Sequence, residues 1–303
     1  MGTDAHGGDP PPPSNSREDL TALVGEYVDA LVANDPDAVP IAPDATFVEN
    51  LARKTPGEGL WRTATAAPTG FEIHVPDPVA GQVGSLCLLK DDGDPVLLGL
   101  RLRVEDGLLT ETEHLVARNL RRRGESHLDN LQTPRPAFRE SVPPAERSSR
   151  EELLRIGASY YDALAEDDGS LAPFAERCVR VENGMQCTCA PPPEEPGRDS
   201  LYALDCAEQL DSGAMRYISR IEPRRVAIAD VETGLVCGLS QFRHAMEETV
   251  LDVEGVPGVE TVARDYDPFD LPAMHVFKVR DGEIRAIEAN GFRAPYDSPT
   301  GWE

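Results

Sequence analysis

Lysine is scarce in this chain of 303 residues, since only Lys54, Lys90 and Lys278 occur among its 29 basic residues. Acidic residues outnumber basic ones by 54 to 29, so the formal net charge at pH 7 is -25. A negative field of this size repels phosphate backbones and anionic lipid surfaces. The composition therefore predicts that neither nucleic acid nor membrane is a partner.

Long apolar runs are also missing. No stretch approaches the roughly 18 consecutive apolar residues that indicate a membrane-spanning helix. Residues 1–16 are rich in Gly, Pro and Ser and lack the apolar segment of an export signal. We therefore expect a disordered N-terminal tail on a cytoplasmic protein.

The sequence lacks a glycine-rich phosphate loop, a GxSxG motif, an HExxH motif and an EF-hand loop. These absences argue against nucleotide, serine-hydrolase, zinc-protease and calcium chemistry. Six cysteines are present, and the closely spaced Cys187 and Cys189 are candidate zinc ligands. No CxxC motif or spaced histidine pair supplies the other ligands of such a site. The sequence predicts free thiols and no cofactor.

An internal repeat is the strongest pattern present. Ser16 and Asp19 form a capping-box signature, and the same signature recurs at Ser149 and Glu152. Each is followed by an apolar helical face, made up of Leu20, Leu23, Val24, Tyr27, Val28 and Leu31 in the first copy and of Leu153, Ile156, Gly157, Tyr160, Tyr161 and Leu164 in the second. The offset of 133 residues between Tyr27 and Tyr160 also aligns Val48-Glu49-Asn50 with Val181-Glu182-Asn183. The chain is therefore predicted to be a duplication.

Later segments align at other offsets. The GSLC sequence at 84–87 matches GLVC at 234–237, and the hairpin turn at Asp106 matches the one at Asp281. The predicted organisation is a tail at 1–16, a first domain at 17–118, a proline-containing linker at 119–148 and a second domain at 149–303. Each copy is expected to be α+β, with a curved antiparallel sheet wrapped around helices.

These features together resemble the SnoaL-like, NTF2-like superfamily. The second copy is similar to a branch found in fungi and bacteria through the segments VENG at 181–184, QLDSG at 209–213 and PYDSPTGW at 295–302. The resemblance implies a cone whose bent sheet encloses a deep, mostly apolar pocket. It also implies chemistry without a cofactor, because members include isomerases, dehydratases and polyketide cyclases.

The resemblance directs attention to a few polar residues of the second copy. The general base of ketosteroid isomerase falls on Asn183, which cannot accept a proton as an aspartate does. The oxyanion donors of that enzyme fall on Tyr160 or Tyr161 and on His275. We expect Tyr160, Asn183 and His275 to be catalytic. Two structural interpretations fit the sequence equally well, in which Asn183 closes a turn and His275 is a hydrogen-bonded core residue. Further candidates for substrate binding are Tyr161, Gln186, Tyr217, Phe242, His244, Phe277 and Glu288.

The first copy has Leu100 and Val28 where the second has His275 and Tyr161, so we expect it to be degenerate. An acidic insertion at 245–272 suits a lid, an interface arm or a surface excursion. The leading hypothesis is a lyase, dehydratase or isomerase for a small, apolar, oxygenated substrate. The alternatives are a ligand-binding module and a structural pseudo-dimer, either as a monomer or as a homodimer.

Overall fold

The computed structural model describes residues 15–68, 70–122 and 125–303. The predicted disordered tail falls almost wholly outside these ranges. Within them, no helix has both the length and the apolar composition to cross a membrane.

Each copy begins with one long helix and continues mainly as strands. The first copy contains helices α1 (Arg17–Ala33) and α2 (Leu60–Thr63) and strands β1 (Ile41–Glu49), β2 (Ala52–Lys54), β3 (Ala64–Ala66), β4 (Glu72–Asp77), β5 (Gln82–Asp91), β6 (Asp94–Glu105) and β7 (Leu108–Ala117). The connecting segment contains the short strands β8 (Arg121–Arg122) and β9 (Glu125–Ser126) and several 3-10 turns.

The second copy repeats this order with longer excursions. It contains helices α3 (Arg150–Glu166) and α4 (Cys206–Asp211) and strands β10 (Phe174–Glu182), β11 (Met185–Gln186), β12 (Arg220–Asp230), β13 (Leu235–His244), β14 (Val250–Asp252), β15 (Thr261–Ala263), β16 (Phe269–Arg280), β17 (Glu283–Gly291) and β18 (Ala294–Pro295). The β14–β15 hairpin lies within the 245–272 insertion.

Both predicted helix starts are confirmed. The Ser16 side chain accepts a hydrogen bond from the Asp19 backbone N–H, and the Asp19 carboxylate accepts one from the Ser16 backbone N–H. The Ser149 side chain accepts from the Glu152 backbone in the same way. Since a side-chain cap satisfies an otherwise unpaired helix N–H, these residues fix where each helix begins.

The main sheets have equivalent orders, β2-β1-β7-β6-β5-β3 and β11-β10-β17-β16-β13-β12. The predicted α+β class is confirmed, but the sheets are mixed rather than purely antiparallel. Strand β1 pairs parallel to β7, and β10 pairs parallel to β17. These pairs join the first long strand of each copy to its last one. Strands so far apart in the sequence are not connected by a tight hairpin, so they are not required to be antiparallel.

The structure corrects the alignment of Cys87 with Cys237. Ser85 pairs with Leu100 in the first copy, and Gly238 occupies the same place beside His275 in the second, which is an offset of 153 rather than 150. Cys87 accordingly lies in the core of its own copy, whereas Cys237 lies in the apolar cluster between the copies. An odd register shift reverses the two faces of a strand, and the short GxxC match could not reveal it.

The two sheets pack against each other through their outer faces. Leu86 and Leu97 of the first copy share one buried cluster with Leu239, Met274 and Val276 of the second. Each copy keeps a separate core between its helix and its sheet's inner face. Side chains alternate along β16, where Phe277 and Val279 enter the inner core while Met274 and Val276 enter the interface.

Two reciprocal ion pairs frame this interface. Arg17 at the start of α1 binds Asp230 at the end of β12, at 2.8 Å. Arg150 at the start of α3 binds Asp77 at the end of β4, at 2.9 Å. Since each copy offers an arginine and an aspartate from equivalent positions, the interface has the self-complementary character of a two-fold dimer.

The segment between the copies is packed rather than extended. Leu131, Phe138 and Val142 are buried, and Leu131 and Phe138 join the interface cluster. Arg135 donates to the carboxylate of Glu288 and to the backbone carbonyls of Val179 and Ile287. These contacts hold the connecting segment against the second copy's sheet.

We predict that Asp77→Ala destabilises the fold much more than Asp162→Ala. The Asp77 carboxylate is buried and also accepts from the Ala229 backbone, so its loss is expected to lower the free energy of unfolding by about 3 kcal/mol. Asp162 pairs with Arg224 but is exposed, and its loss is expected to change that energy by less than about 1 kcal/mol. Urea unfolding measures both, and equal effects would contradict the assignment of the interface.

Candidate active site

A cavity of about 500 Å³ opens in the second copy between α3, the inner face of its sheet and the 245–272 insertion. Six of the residues proposed from sequence line it, namely Tyr160, Asn183, Tyr217, Phe242, His244 and His275. Apolar lining is supplied by Leu164, Met215, Ile218, Leu271 and Ala273. The site can therefore bury an apolar molecule beside a small set of polar groups.

His275 is held on one side and open on the other. Its Nδ1 lies 3.2 Å from the Tyr161 hydroxyl, and this is the one hydrogen bond of the ring found within the described residues. Burial lowers the pKa of His275 to about 4, so the ring is neutral at physiological pH. Gly238, the cross-strand neighbour of His275, leaves room for Tyr161, because a Cβ there would lie 2.6 Å from the Tyr161 hydroxyl.

The Arg180 guanidinium lies beside Tyr160 and adds a positive charge to the cavity lining. The Nη1 of Arg180 donates to the Tyr160 hydroxyl at 3.4 Å, and its Nη2 donates to Gln209. Its Nε lies 2.9 Å from the Glu182 carboxylate, although that N–H is not aligned for a hydrogen bond. Burial raises the pKa of Tyr160, so its hydroxyl keeps its proton and can donate it towards the cavity.

Asn183 has the same backbone contacts as its counterpart in the first copy. Its side chain donates to the Gly291 carbonyl at 2.8 Å and accepts from the Gly291 N–H at 3.1 Å. Asn50 makes the same two bonds to Val116, at 3.2 and 2.7 Å. Both residues have positive φ, which asparagine tolerates well. This shared geometry favours the turn-closing reading, and we leave Asn183 out of the chemistry proposed below.

Four residues proposed from sequence are not among those that line the cavity. Tyr161 lies behind His275, and Phe277 belongs to the core. Gln186 turns its amide to the Thr188 carbonyl, while its neighbours Met185 and Cys187 face the cavity. Glu288 lies on the outer face of β17 against Arg135, where burial raises its pKa to about 7. None of the four is placed to touch a bound molecule directly.

Sequence reasoning missed most of the charged lining. Arg180 replaces Phe47 of the first copy, and this change from apolar to charged at one core position was a readable signal. Arg198, Arg264 and Arg293 come from loops around the opening. Leu120 and His127, from the segment between the copies, also line the cavity, and only the tertiary fold could bring them there.

The first copy contains a buried polar network that was not anticipated from Leu100 and Val28. The Tyr27 hydroxyl lies 2.9 Å from His114 Nε2, and His114 Nδ1 lies 3.2 Å from the Glu49 carboxylate. Glu49 also accepts from the Leu60 backbone at 2.8 Å. Burial raises the pKa of Glu49, but the bonds from His114 and the Leu60 backbone outweigh it and hold that pKa low. The surrounding space is filled by the buried side chains of Phe47, Trp61 and Leu100.

The thiols of Cys187 and Cys189 are not directed towards a common point where a metal ion could bind. Cys187 Sγ points to the Met185 carbonyl and Cys189 Sγ to the Cys178 carbonyl. In the part of the chain that the structure describes, no group of three or more His, Cys, Asp or Glu side chains is placed to hold a metal ion.

The fold and the cavity define a class, a tandem pair of α+β domains that each pack a long helix against a mixed sheet. Family comparison then identifies the chain, because one family model matches it twice, at residues 13–141 and 146–291. The chain belongs to that family, described as Domain of unknown function (DUF8021). The two consecutive matches confirm the duplication. A search of the curated proteins finds no significant match.

Solved structures similar to this chain include candidate polyketide cyclases and a candidate hydroxylase. A candidate polyketide cyclase from Sinorhizobium meliloti is 24% identical over 33% of this chain and 98% of its own, with a TM-score of 0.25. One from Xanthomonas campestris pv. campestris is 20% identical over 47% and 92%, with a TM-score of 0.29. A candidate hydroxylase from Streptomyces galilaeus is 12% identical over 48% and 83%, with a TM-score of 0.30.

We predict that Asn183→Ala and Asn50→Ala destabilise the fold to a similar extent. Each removes two side-chain bonds to the backbone and places alanine at positive φ, so each is expected to lower the free energy of unfolding by about 2 kcal/mol. Chemical denaturation of the two variants checks this. A negligible effect for Asn183→Ala with a large one for Asn50→Ala would favour a functional role for Asn183.

Proposed function

We propose that the second copy is a cofactor-independent lyase, dehydratase or isomerase that acts on a small, apolar, oxygenated substrate. The supporting observation is the neutral His275, whose Nε2 faces the cavity beside Tyr160 and Arg180. A base and an oxygen-binding donor within one apolar pocket can shift a proton along a substrate without a cofactor. The first copy, with its filled interior, acts as a structural partner within a single-chain pseudo-dimer.

In this proposal Tyr160 holds the substrate oxygen and His275 moves the proton. His275 Nε2 removes a proton from the carbon next to a carbonyl, and the carbonyl oxygen gains the negative charge of an enolate. The Tyr160 hydroxyl donates to that oxygen, and Arg180 strengthens the donor by bonding to the same hydroxyl. The proton then passes either to another carbon, which isomerises the substrate, or to a hydroxyl that leaves as water.

Tyr161 acts through His275 rather than on the substrate. When its hydroxyl donates to Nδ1, the other nitrogen carries the imidazole proton. When it accepts from Nδ1, Nε2 is left with the lone pair that proton removal requires. The deprotonation step therefore needs the second arrangement, and Tyr161 is a positioning residue.

One observation favours a second candidate, a non-catalytic ligand-binding module. A histidine whose pKa is about 4 is a weaker base than an ordinary histidine, so burial reduces its driving force for proton removal. In that case Nε2 serves only to hydrogen-bond a ligand. Recovery of a bound ligand unchanged after long incubation would support this candidate.

We predict that His275→Gln lowers turnover at least about 100-fold, since it removes the group that moves the proton. Tyr161→Phe is expected to have a smaller effect, because it loosens the ring but leaves both nitrogens in place. A suitable assay screens cyclic β-hydroxy ketones and β,γ-unsaturated ketones for the ultraviolet absorbance that conjugation produces. Full turnover by His275→Gln on a substrate found in this way would overturn the assignment.

We predict that turnover is nearly constant above about pH 6 and falls as the pH drops through about 4. The sign follows from the base, which must be neutral to accept a proton and becomes protonated below its pKa. Stability follows the same direction. The unfolded chain, with an ordinary histidine pKa near 6.5, binds more protons than the folded protein between about pH 6.5 and 4. The stabilising contribution is therefore lost on acidification, and the difference in urea midpoint between the wild type and His275→Gln across this range measures it.

A further inference from the structure

Three arginines line the cavity and lie against aromatic rings. The guanidinium of Arg264 lies 4.7 Å from the ring centroid of Tyr217. Arg293 lies 4.4 Å from the ring of Tyr266 and 4.3 Å from the ring of Phe269. Arg198 donates to the Tyr266 hydroxyl at 2.8 Å. We call Arg198, Arg264 and Arg293 the arginine rim.

The arginine rim has no carboxylate partner within residues 15–68, 70–122 and 125–303, where other arginines such as Arg17, Arg150 and Arg243 are paired. Arg264 is only 4% exposed, and its Nε and that of Arg198 are buried without a hydrogen-bond partner among the described residues. Arg264 Nη2 donates to the Ala214 carbonyl at 3.0 Å, which does not neutralise its charge. Buried charge is costly unless it is paired, so this arrangement favours a bound anion.

The neighbouring side chains do not supply that anion. His244, stacked on Phe269 at 4.1 Å, is neutral because burial lowers its pKa to about 4. Burial raises the pKa of Tyr266, but the hydrogen bond from Arg198 and the charges of the arginine rim outweigh it and hold the pKa below its ordinary value. Asp265 and Asp267 flank Tyr266 and are exposed, and within the described ranges no ion pair joins either of them to the arginine rim.

We propose that the arginine rim binds the carboxylate of the ligand, and that the ligand is a planar aromatic or unsaturated acid. A guanidinium matches a carboxylate through two parallel N–H donors and also stacks on flat rings. The ligand's apolar body would occupy the cavity beside Phe242 and Leu271 and bring its oxygen to Tyr160 and His275. This inference rests on the proposed function for the position of the reacting end, whereas recognition of the acid depends on the rim alone.

The test compares acids with their neutral esters in the full-length protein. The probes are benzoate, 2-naphthoate and anthracene-2-carboxylate, each against its methyl ester, with phenyl phosphate as a second anion. Isothermal titration calorimetry is expected to show at least one acid binding about tenfold more tightly than its ester, the factor that one charge-assisted hydrogen bond supplies. That preference is expected to weaken as salt is added, because ions screen a partly exposed charge.

Arg198→Gln and Arg293→Gln are the test variants. Arg198 is half-buried and Arg293 is exposed, so replacing either side chain leaves the core intact. Each is expected to lower the affinity for the acid about tenfold and to change that for the ester by less than about twofold. Arg155→Gln, on the exposed face of α3, removes the same charge far from the rim and is expected to change neither.

Several outcomes would overturn the inference. They are equal binding of acid and ester, no binding by any acid of the series, an equal loss for acid and ester in the rim variants, or tighter binding of phenyl phosphate than of benzoate. Failure of the proposed function gives a different result. In that case the preference for the acid and its loss in the rim variants persist, but no substrate is converted and His275→Gln changes nothing except affinity.

Discussion

The packing of one sheet's outer face against the other is the constraint on which the rest of this structure depends. Leucine, methionine and valine side chains from β5, β6, β13 and β16 fill that contact. Neither face could be left in water, because each buried side chain of this size contributes about 1.5–3 kcal/mol relative to exposure. Fusing the copies therefore makes the contact permanent within one chain. Fusion also brings the segment between the copies across the cavity of the second copy, so that Leu120 and His127 line that cavity.

This constraint explains why the two interiors could diverge. The outer faces must remain complementary, and the reciprocal pairs of Arg17 with Asp230 and Arg150 with Asp77 preserve that relationship. The inner faces are not shared, and each needs only to fill its own space. The first copy fills it with Phe47, Trp61 and Leu100, and the second leaves a cavity lined by Arg180 and His275. Glu49 and Glu182 illustrate the result, since Glu49 closes a buried network and Glu182 lines the cavity.

The repeat, both helix starts, the fold class and the facing of β16 were predictable because each depends on local periodicity or on capping. The alignment of β5 with its equivalent strand β13 was not predictable. A GxxC match does not show which face of the strand each residue lies on, and only the pairing with neighbouring strands decides it. The family resemblance directed attention to His275 and Tyr160, and both line the cavity. Arg198, Arg264 and Arg293 could not, because they lie on loops whose convergence no spacing records. Asn183 and Asn50 make equivalent bonds to the backbone of their own copies, so a motif residue shared by both copies does not by itself indicate a functional role.

A chain with a net charge of -25 and a cationic cavity opening is not contradictory in physical terms. At physiological ionic strength the field of exposed carboxylates decays over about 8 Å, so distant acidic residues act weakly on a molecule at the opening. The arginine rim acts at contact distance, and Arg264 does so from a buried position where screening is weak. The global charge therefore slows the approach of an anion, while the local charge determines how tightly it is held. Affinity at such a site resides mainly in slow dissociation, which is how a strongly acidic protein can select an acidic ligand.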